Sequence, residues 1–203
     1  MPLAHQEAGS AEPPWGRAKF ALSDTAHLRP LAEADSKELH VLIEANRESL
    51  RRWLSWAATQ TLEDTHGFIR RTEAQPAAND GFQVAIVCGE EIAGVIGYIG
   101  VDWQHRSTAL GYWLDERHRG KGTMTAAVRA LTDHALSVWE LNRVEIRVAV
   151  ENRRSRAIPE RLGFRQEGTR RQAELVDGRY LDSVVYAMLA ADWPAMRSGF
   201  RCG

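Results

Sequence analysis

The 203-residue chain is 44% hydrophobic and 26% charged, ordinary usage for a globular protein and evidence against wholesale disorder. With 26 Lys+Arg against 27 Asp+Glu the net charge is −1, which removes any global case for a nucleic-acid or anionic-membrane binder while leaving local basic patches open. The length suits one domain, or one domain with tails, large enough to fold without a disulfide scaffold.

Residues 1–24 are rich in Ala, Pro, Gly and Glu without periodicity and read as a tail or an arm laid over the surface. The single domain is expected over 25–195, with a second short tail over 196–203. His27–Leu31 suggests a short strand ended by Pro30, followed by a helix from about Ala34 to Arg47 with Leu39, Leu42, Ile43 and Ala45 on one side. A second helical stretch, Leu50–Trp56, would project Trp53 and Trp56 from one face. Thr61, followed by Glu63 and Asp64, marks the start of a third helix running to about Ala74. Residues 75–81 form a loop.

Two strands follow, Phe82–Cys88 and Ile92–Val101, joined by a turn at 89–91, and then a third at Thr108–Leu114. From Thr123 to about Glu140 the apolar residues Met124, Ala127, Val128, Leu131, Ala135 and Val138 recur at helical spacing. Val144, Ile146, Val148 and Val150 alternate as a strand. A short helix around Ser155–Leu162 precedes two strands, Gly168–Val176 and Arg179–Leu189, flanking the hairpin signal Asp177-Gly178. The order β-α-α-α-β-β-β-α-β-α-β-β is that of one mixed α/β (α+β) domain.

Cys88 and Cys202 are far apart and lie in no CxxC or Cys/His metal pattern; Cys88 falls in an apolar run and reads as a buried small hydrophobe. No apolar stretch reaches the ~18 residues of a membrane helix, and the N-terminus lacks the basic start and apolar core of a secretion signal. A cytoplasmic protein is expected, with no membrane partner, no direct nucleic-acid partner and no metal.

Lysine occurs only at 19, 37 and 121, so nearly all the positive charge is arginine. Either a G+C-rich genome explains this, or some arginines contact phosphates, which the planar guanidinium suits. Arg117-His118-Arg119-Gly120-Lys121-Gly122-Thr123, between a strand and the longest helix, is where the second account applies. Glycines at alternate positions let a backbone come close to a ligand, and the helix N-terminus aims N–H groups and partial positive charge at the same point. Neither the Walker pattern nor GxGxxG is present, and a plain glycine turn before a helix is the alternative.

Arg117, Gly120 and Gly122 form R-x-x-G-x-G, which resembles the pyrophosphate loop of the GNAT superfamily of acyl-CoA-dependent N-acyltransferases. Gly111-Tyr112-Trp113-Leu114-Asp115 before it is similar to the ribosomal-protein N-terminal (RimJ/RimL-type) acetyltransferase branch. So are Leu28-Arg29-Pro30-Leu31, Trp53-Leu54-Ser55-Trp56, Asn152-x-x-Ser155, Arg161-Leu162-Gly163-Phe164, Gly168 and Gly178-x-Tyr180-x-Asp182. The resemblance covers about 27–193 in the family's order. It implies a mostly antiparallel central sheet, splayed at a CoA cleft and flanked by helices, with acetyl-CoA as co-substrate and a homodimer as the assembly. It also implies that the cofactor meets Trp113, Leu114, Arg117, His118, Arg119, Gly120, Lys121, Gly122, Thr123, Asn152 and Ser155.

Acyl transfer from a thioester needs a neutral amine, a stabilised oxyanion and a proton for the departing thiolate. Many family members give that proton from a tyrosine four residues before the Gly of Leu-Gly-Phe. Here the position is Pro159, so the resemblance points instead to Ser155 as the acid, with a helix-capping role as its alternative. Proline at 159 also leaves the Ser155 carbonyl without its helical N–H partner. Glu174 matches a glutamate proposed to take the amine proton through a water, or is a solvated hairpin residue; His105 and Glu48 stand in reserve. Trp53, Trp56 and Trp103 would wall the acceptor groove or belong to the core. Three functions follow: acetylation of an α-amino group of a protein or peptide, acetylation of a small amine (an antibiotic, an aminoacyl conjugate or a polyamine), and a non-catalytic acyl-CoA-binding regulator.

Overall fold

The computed structural model describes residues 20–193. Among these residues, eight strands form one sheet in the order β1-β2-β3-β4-β5-β6-β8-β7. They are β1 (Phe20–Ser23), β2 (Ala26–Pro30), β3 (Gln83–Cys88), β4 (Glu91–Asp102), β5 (Ser107–Leu114), β6 (Arg143–Ala149), β7 (Arg165–Val176) and β8 (Arg179–Leu189). The helices are α1 (Ser36–Leu50), α2 (Leu62–Ala74), α3 (Thr123–Asp133) and α4 (Arg153–Arg161). Every neighbouring pair is antiparallel except β5 and β6, which run parallel. The expected mixed, mostly antiparallel sheet with flanking helices is the fold observed.

The sheet is buried on both faces at β3 and β4, which is why these strands read as apolar runs rather than alternating patterns. Ala85, Val87, Ile92 and Val95 pack with Leu39, Leu42, Ile43 and Ile69 from α1 and α2. On the opposite face Val84, Ile86, Ile96 and Tyr98 pack with Met124, Val128 and Leu131 of α3. The Thr61 cap holds as read: its Oγ1 accepts from the Asp64 N–H at 3.1 Å, and Asp64 Oδ2 accepts from the Thr61 N–H at 2.9 Å. The Asp177-Gly178 turn has positive φ at both residues (49° and 74°), the mirror-image geometry a two-residue hairpin needs.

Several boundaries differ from the sequence reading, among them the start of β7, at Arg165 rather than Gly168. Residues 20–23, placed in the N-terminal tail, form β1, an edge strand anchored where the Phe20 ring meets His134 at 5.6 Å. The helical stretch expected over Leu50–Trp56 does not form. Instead α1 continues to Leu50, Leu54 is extended (φ −123°, ψ 112°), and a 3-10 turn covers Ser55–Ala58. The long helix ends its α-helical geometry at Asp133 and widens into a π turn over His134–Val138. Finally, α4 begins two residues before Ser155. The remaining N-terminal residues and 196–203 lie outside the described residues.

Around that π turn, His134 is buried among the rings of Phe20, Phe82 and Trp139, the last at 4.9 Å. Burial pushes its imidazole pKa below the ordinary value, although Asp133 works the other way. The unfolded imidazole takes its proton near pH 6.5, so the resulting stability is present above that pH and is lost as pH falls through the lower folded value. Thermal melts are expected to show Tm falling between pH 7 and 5, with a smaller fall in His134→Leu. An equal fall in both proteins would remove His134 as the source.

Candidate active site

The cleft is a divergence of strands. β5 pairs with β6 only over Ser107–Leu110 against Arg143–Ile146. Beyond that, β5 stays with β4 as far as Leu114↔Gly94, while β6 stays with β8 as far as Ala149↔Ser183. The arms 111–114 and 147–149 therefore have no strand between them. A pantetheine arm needs such a slot, and the backbone of Tyr112–Leu114 edges it. Trp113 points to the α1/α2 side, where its ring lies 6.4 Å from that of Trp56. Tyr112 belongs with the opposite core, on the side of α3 and α4.

At the end of β5 the chain enters the glycine loop. Asp115 is buried, and its carboxylate accepts from the Arg117 Nε at 2.7 Å and from the Arg117 backbone N–H at 3.3 Å. Burial opposes its charge, but Arg117, its backbone N–H and Asn46 outweigh that and hold its pKa below the usual value. Asn46 Oδ1 in turn accepts the Glu116 N–H at 3.0 Å. Arg119 binds the Leu114 carbonyl (3.2 Å), Glu116 (2.6 Å) and Ser49 (3.2 Å). Both arginines are thus tied to the protein: Arg119 braces the loop to α1, while the Arg117 head remains mostly exposed. Lys121 is exposed and His118 half-buried.

Gly120 and Gly122 have φ of +77° and +80°, and a Cβ on either would meet nothing within 4 Å. Their need for glycine is conformational, and the space above them is open. The first N–H groups of α3 have no carbonyl within the helix to bind, so the residues fit a pyrophosphate. Cys88 is half-buried beside this loop, close to Lys121 and Thr123. Burial pushes its thiol pKa up, the opposite of what a nucleophilic cysteine needs.

At the head of α4, the capping question is decided by Asn152. Its Oδ1 accepts the Ser155 backbone N–H at 3.2 Å, which makes Asn152 the cap and leaves the Ser155 hydroxyl out of that role. That hydroxyl lies 3.4 Å from the Tyr112 hydroxyl. On the other side of α4, Arg156 binds the Val150 carbonyl (3.1 Å) and the Tyr186 hydroxyl (2.9 Å), which donates to Glu160 at 2.6 Å.

On the Trp113 side, Arg51 binds both oxygens of Asp177 at 3.0 Å and ties the β7–β8 hairpin tip to the end of α1. β7 packs beside the Ser55–Ala58 turn that carries Trp56. Glu174 is exposed on β7, opposite Leu181, where the register shifts after Arg170. Trp53 is half-buried in the turn before Ser55. Trp103 lies elsewhere: it sits in the β4–β5 turn, bonded to the Asn79 carbonyl at 2.6 Å and packed on Trp139 at 5.7 Å. His105 shares that turn, bonded to Asp102 at 2.9 Å, and Glu48 pairs with Arg51 at 3.3 Å.

Sequence reasoning missed Tyr112 as a site residue, although Pro159 signalled that the Ser155 carbonyl is left open. It also missed Asn46 and Ser49, which hold the loop from α1; no local motif marks them. No group of three or more His, Cys, Asp or Glu among the described residues could hold a metal, and no described helix is long and apolar enough to cross a membrane.

The family profile "Acetyltransferase (GNAT) domain" matches residues 26–165. YdaF of Bacillus subtilis (strain 168), provisionally named a ribosomal N-acetyltransferase, is 36% identical over 168 residues, 82% of this chain and 92% of that protein. The ribosomal-protein-serine acetyltransferase of Escherichia coli (strain K12) is 31% identical over 169 residues, 83% of this chain and 94% of that protein. The solved structure of RimL, a ribosomal L7/L12 alpha-N-protein acetyltransferase in complex with coenzyme A, superposes with a TM-score of 0.81 at 29% identity, covering 85% of this chain and 98% of that one. With a splayed sheet, a glycine loop at the head of α3 and these relatives, the chain belongs to the GNAT acetyltransferase family, in the branch of the ribosomal-protein acetyltransferases, and is an N-acetyltransferase that takes acetyl-CoA as donor.

Proposed function

We propose that the enzyme acetylates the α-amino group of a protein or peptide by direct transfer within a ternary complex. The observation that carries this reading is the head of α4, where Asn152 caps the helix and the Ser155 hydroxyl is left for chemistry beside the diverging strands. Acetyl-CoA supplies the thioester. The N–H groups of the Tyr112–Leu114 arm polarise its carbonyl, and the Ser155 hydroxyl gives a proton to the departing sulfur. Glu174 takes the amine proton through a water; a terminal amine, with pKa about 8, needs only a weak base. Gly120, Gly122 and the head of α3 take the pyrophosphate, with Lys121, His118 and the outer face of Arg117 around it, and Asn152 borders the pantetheine side.

Trp53 and Trp56 wall the acceptor on the Trp113 side, between α1 and β7; the Trp103 turn is separate from that wall. The ribosomal-protein acetyltransferases among the relatives support a protein N-terminus as acceptor. A cytoplasmic homodimer completes the reading.

The test is an acceptor panel read by thiol release from acetyl-CoA. It contains peptides with free N-termini, the same peptides N-terminally blocked but carrying lysine, and small amines including polyamines. Fastest turnover on free N-termini is expected. Turnover confined to small amines would replace this reading with a small-molecule enzyme, and CoA binding without turnover on any amine would indicate a binding module.

A further inference from the structure

Proline inside a helix removes one backbone donor, and the carbonyl four residues earlier loses its partner. In α4 the proline is Pro159, and the carbonyl is that of Ser155. The Tyr112 hydroxyl fills the position: it donates to the Ser155 carbonyl at 3.3 Å, and the Ser155 Oγ–H donates back to the Tyr112 oxygen at 3.4 Å. One phenol thereby uses its single proton and a lone pair on the same residue.

The placement of this bridge matters more than its strength. α4 follows β6, and Arg156, Tyr186 and Glu160 fasten it on the side of β6 and β8. Tyr112 stands on β5, the opposite arm of the divergence. Among the described residues, the hydrogen bonds from α4 to β5 are those to Tyr112, so this bridge fixes where the Ser155 hydroxyl lies relative to the β5 arm. Both contacts are long for O–H···O bonds, which leaves the serine proton lightly committed. Burial also pushes the Tyr112 phenol well above its ordinary pKa, so it stays protonated and able to donate.

We propose that Tyr112 is a positioning residue for the acetyl transfer: it replaces the helical N–H that Pro159 lacks and thereby holds Ser155 toward the sulfur. The proposal rests on Ser155 as the acid. Tyr112 reaches the helix turn that Pro159 interrupts from the neighbouring strand.

The experiment is a set of variants assayed for kcat, KM for acetyl-CoA and Tm. Tyr112→Phe keeps the ring and removes the bridge; kcat is expected to fall about tenfold, the equivalent of one lost hydrogen bond, with KM within about threefold. Pro159→Ala restores an N–H facing the Ser155 carbonyl. In that background Tyr112→Phe should cost no more than about threefold, and in the Ser155→Ala background it should cost almost nothing. A Tyr112→Phe effect of the same size with and without Pro159 would overturn the proposal, as would full activity of Tyr112→Phe in an enzyme that Ser155→Ala cripples. Full activity of Ser155→Ala would sink the acid reading on its own. The bridge would then be judged by Tm, which Tyr112→Phe should lower with Pro159 present and leave nearly unchanged in the Pro159→Ala background; an equal loss in both overturns it.

Discussion

Ser155→Ala is expected to lower kcat about 100-fold, with KM for acetyl-CoA within about threefold of wild type. A positioned proton donor contributes at least about 100-fold, or about 2.7 kcal/mol of barrier. Three features of the structure separate this from a folding defect. The cap of α4 is made by the Asn152 side chain to the backbone N–H of residue 155, which alanine retains. Alanine is the best helix former, and Ser155 is only half-buried, so the substitution leaves no sizeable cavity. The α4 anchors through Arg156, Tyr186 and Glu160 do not involve the serine. Steady-state kinetics at saturating acceptor reads the effect, and circular dichroism confirms the fold. A kcat within twofold of wild type would remove Ser155 from the proton path.

A large effect on stability is expected from Gly94→Ala in β4. A Cβ at this position would lie 2.3 Å from the Trp113 carbonyl oxygen and 3.0 Å from the Leu114 Cα. Both neighbours are backbone, so no rotamer change relieves the clash. β4 is buried on both faces between α1 and α3 and cannot move away without unpacking a helix. The cost is about 3 kcal/mol, at the upper end of overpacking. For a chain of this size that lowers Tm by about 6–12 °C. Gly168→Ala, where a Cβ meets nothing within 4 Å, is the control and should change stability by less than about 0.5 kcal/mol. If Gly94→Ala melts within 2 °C of wild type, to take about the smallest shift a melt resolves, the close approach of β4 to β5 is wrong. Because the clash falls on Trp113 and Leu114, surviving protein should also bind acetyl-CoA more weakly.

Local signals were legible in proportion to how local their physics is. The Thr61–Asp64 cap, the apolar face of α3 from Met124 to Leu131 and the Asp177-Gly178 turn each depend on residues within a few turns of one element and match the sequence reading. Val138, read onto the same face, instead lies past the α-helix and is exposed. β1 escaped because four residues at an edge, exposed on alternate positions, look no different from a tail; pairing with β2 is what makes them a strand. The tryptophan spacing at 53 and 56 implied a helix that Leu54 breaks. The Trp103 side chain gave no sign that it would pack on Trp139, at the end of the π turn after α3. Within the site, the glycine loop was visible as a motif, but the use of Arg119 as a brace was not, since its partner Ser49 is 70 residues away. Tyr112 lies 43 residues from Ser155; the sequence shows the carbonyl left open by Pro159 but not which side chain reaches it.

The divergence of β5 and β6 has a consequence for survival as well as for chemistry. Two strand edges inside a sheet, at 111–114 and 147–149, have no strand partner across the divergence, although Arg119 takes the Leu114 carbonyl. A donor molecule in that slot binds the folded chain and not the unfolded one, so at 100 times its dissociation constant it adds about 2.7 kcal/mol to the free energy of unfolding. Resistance to proteolysis and heat then tracks the supply of acetyl-CoA, and the enzyme is most durable when it has work to do.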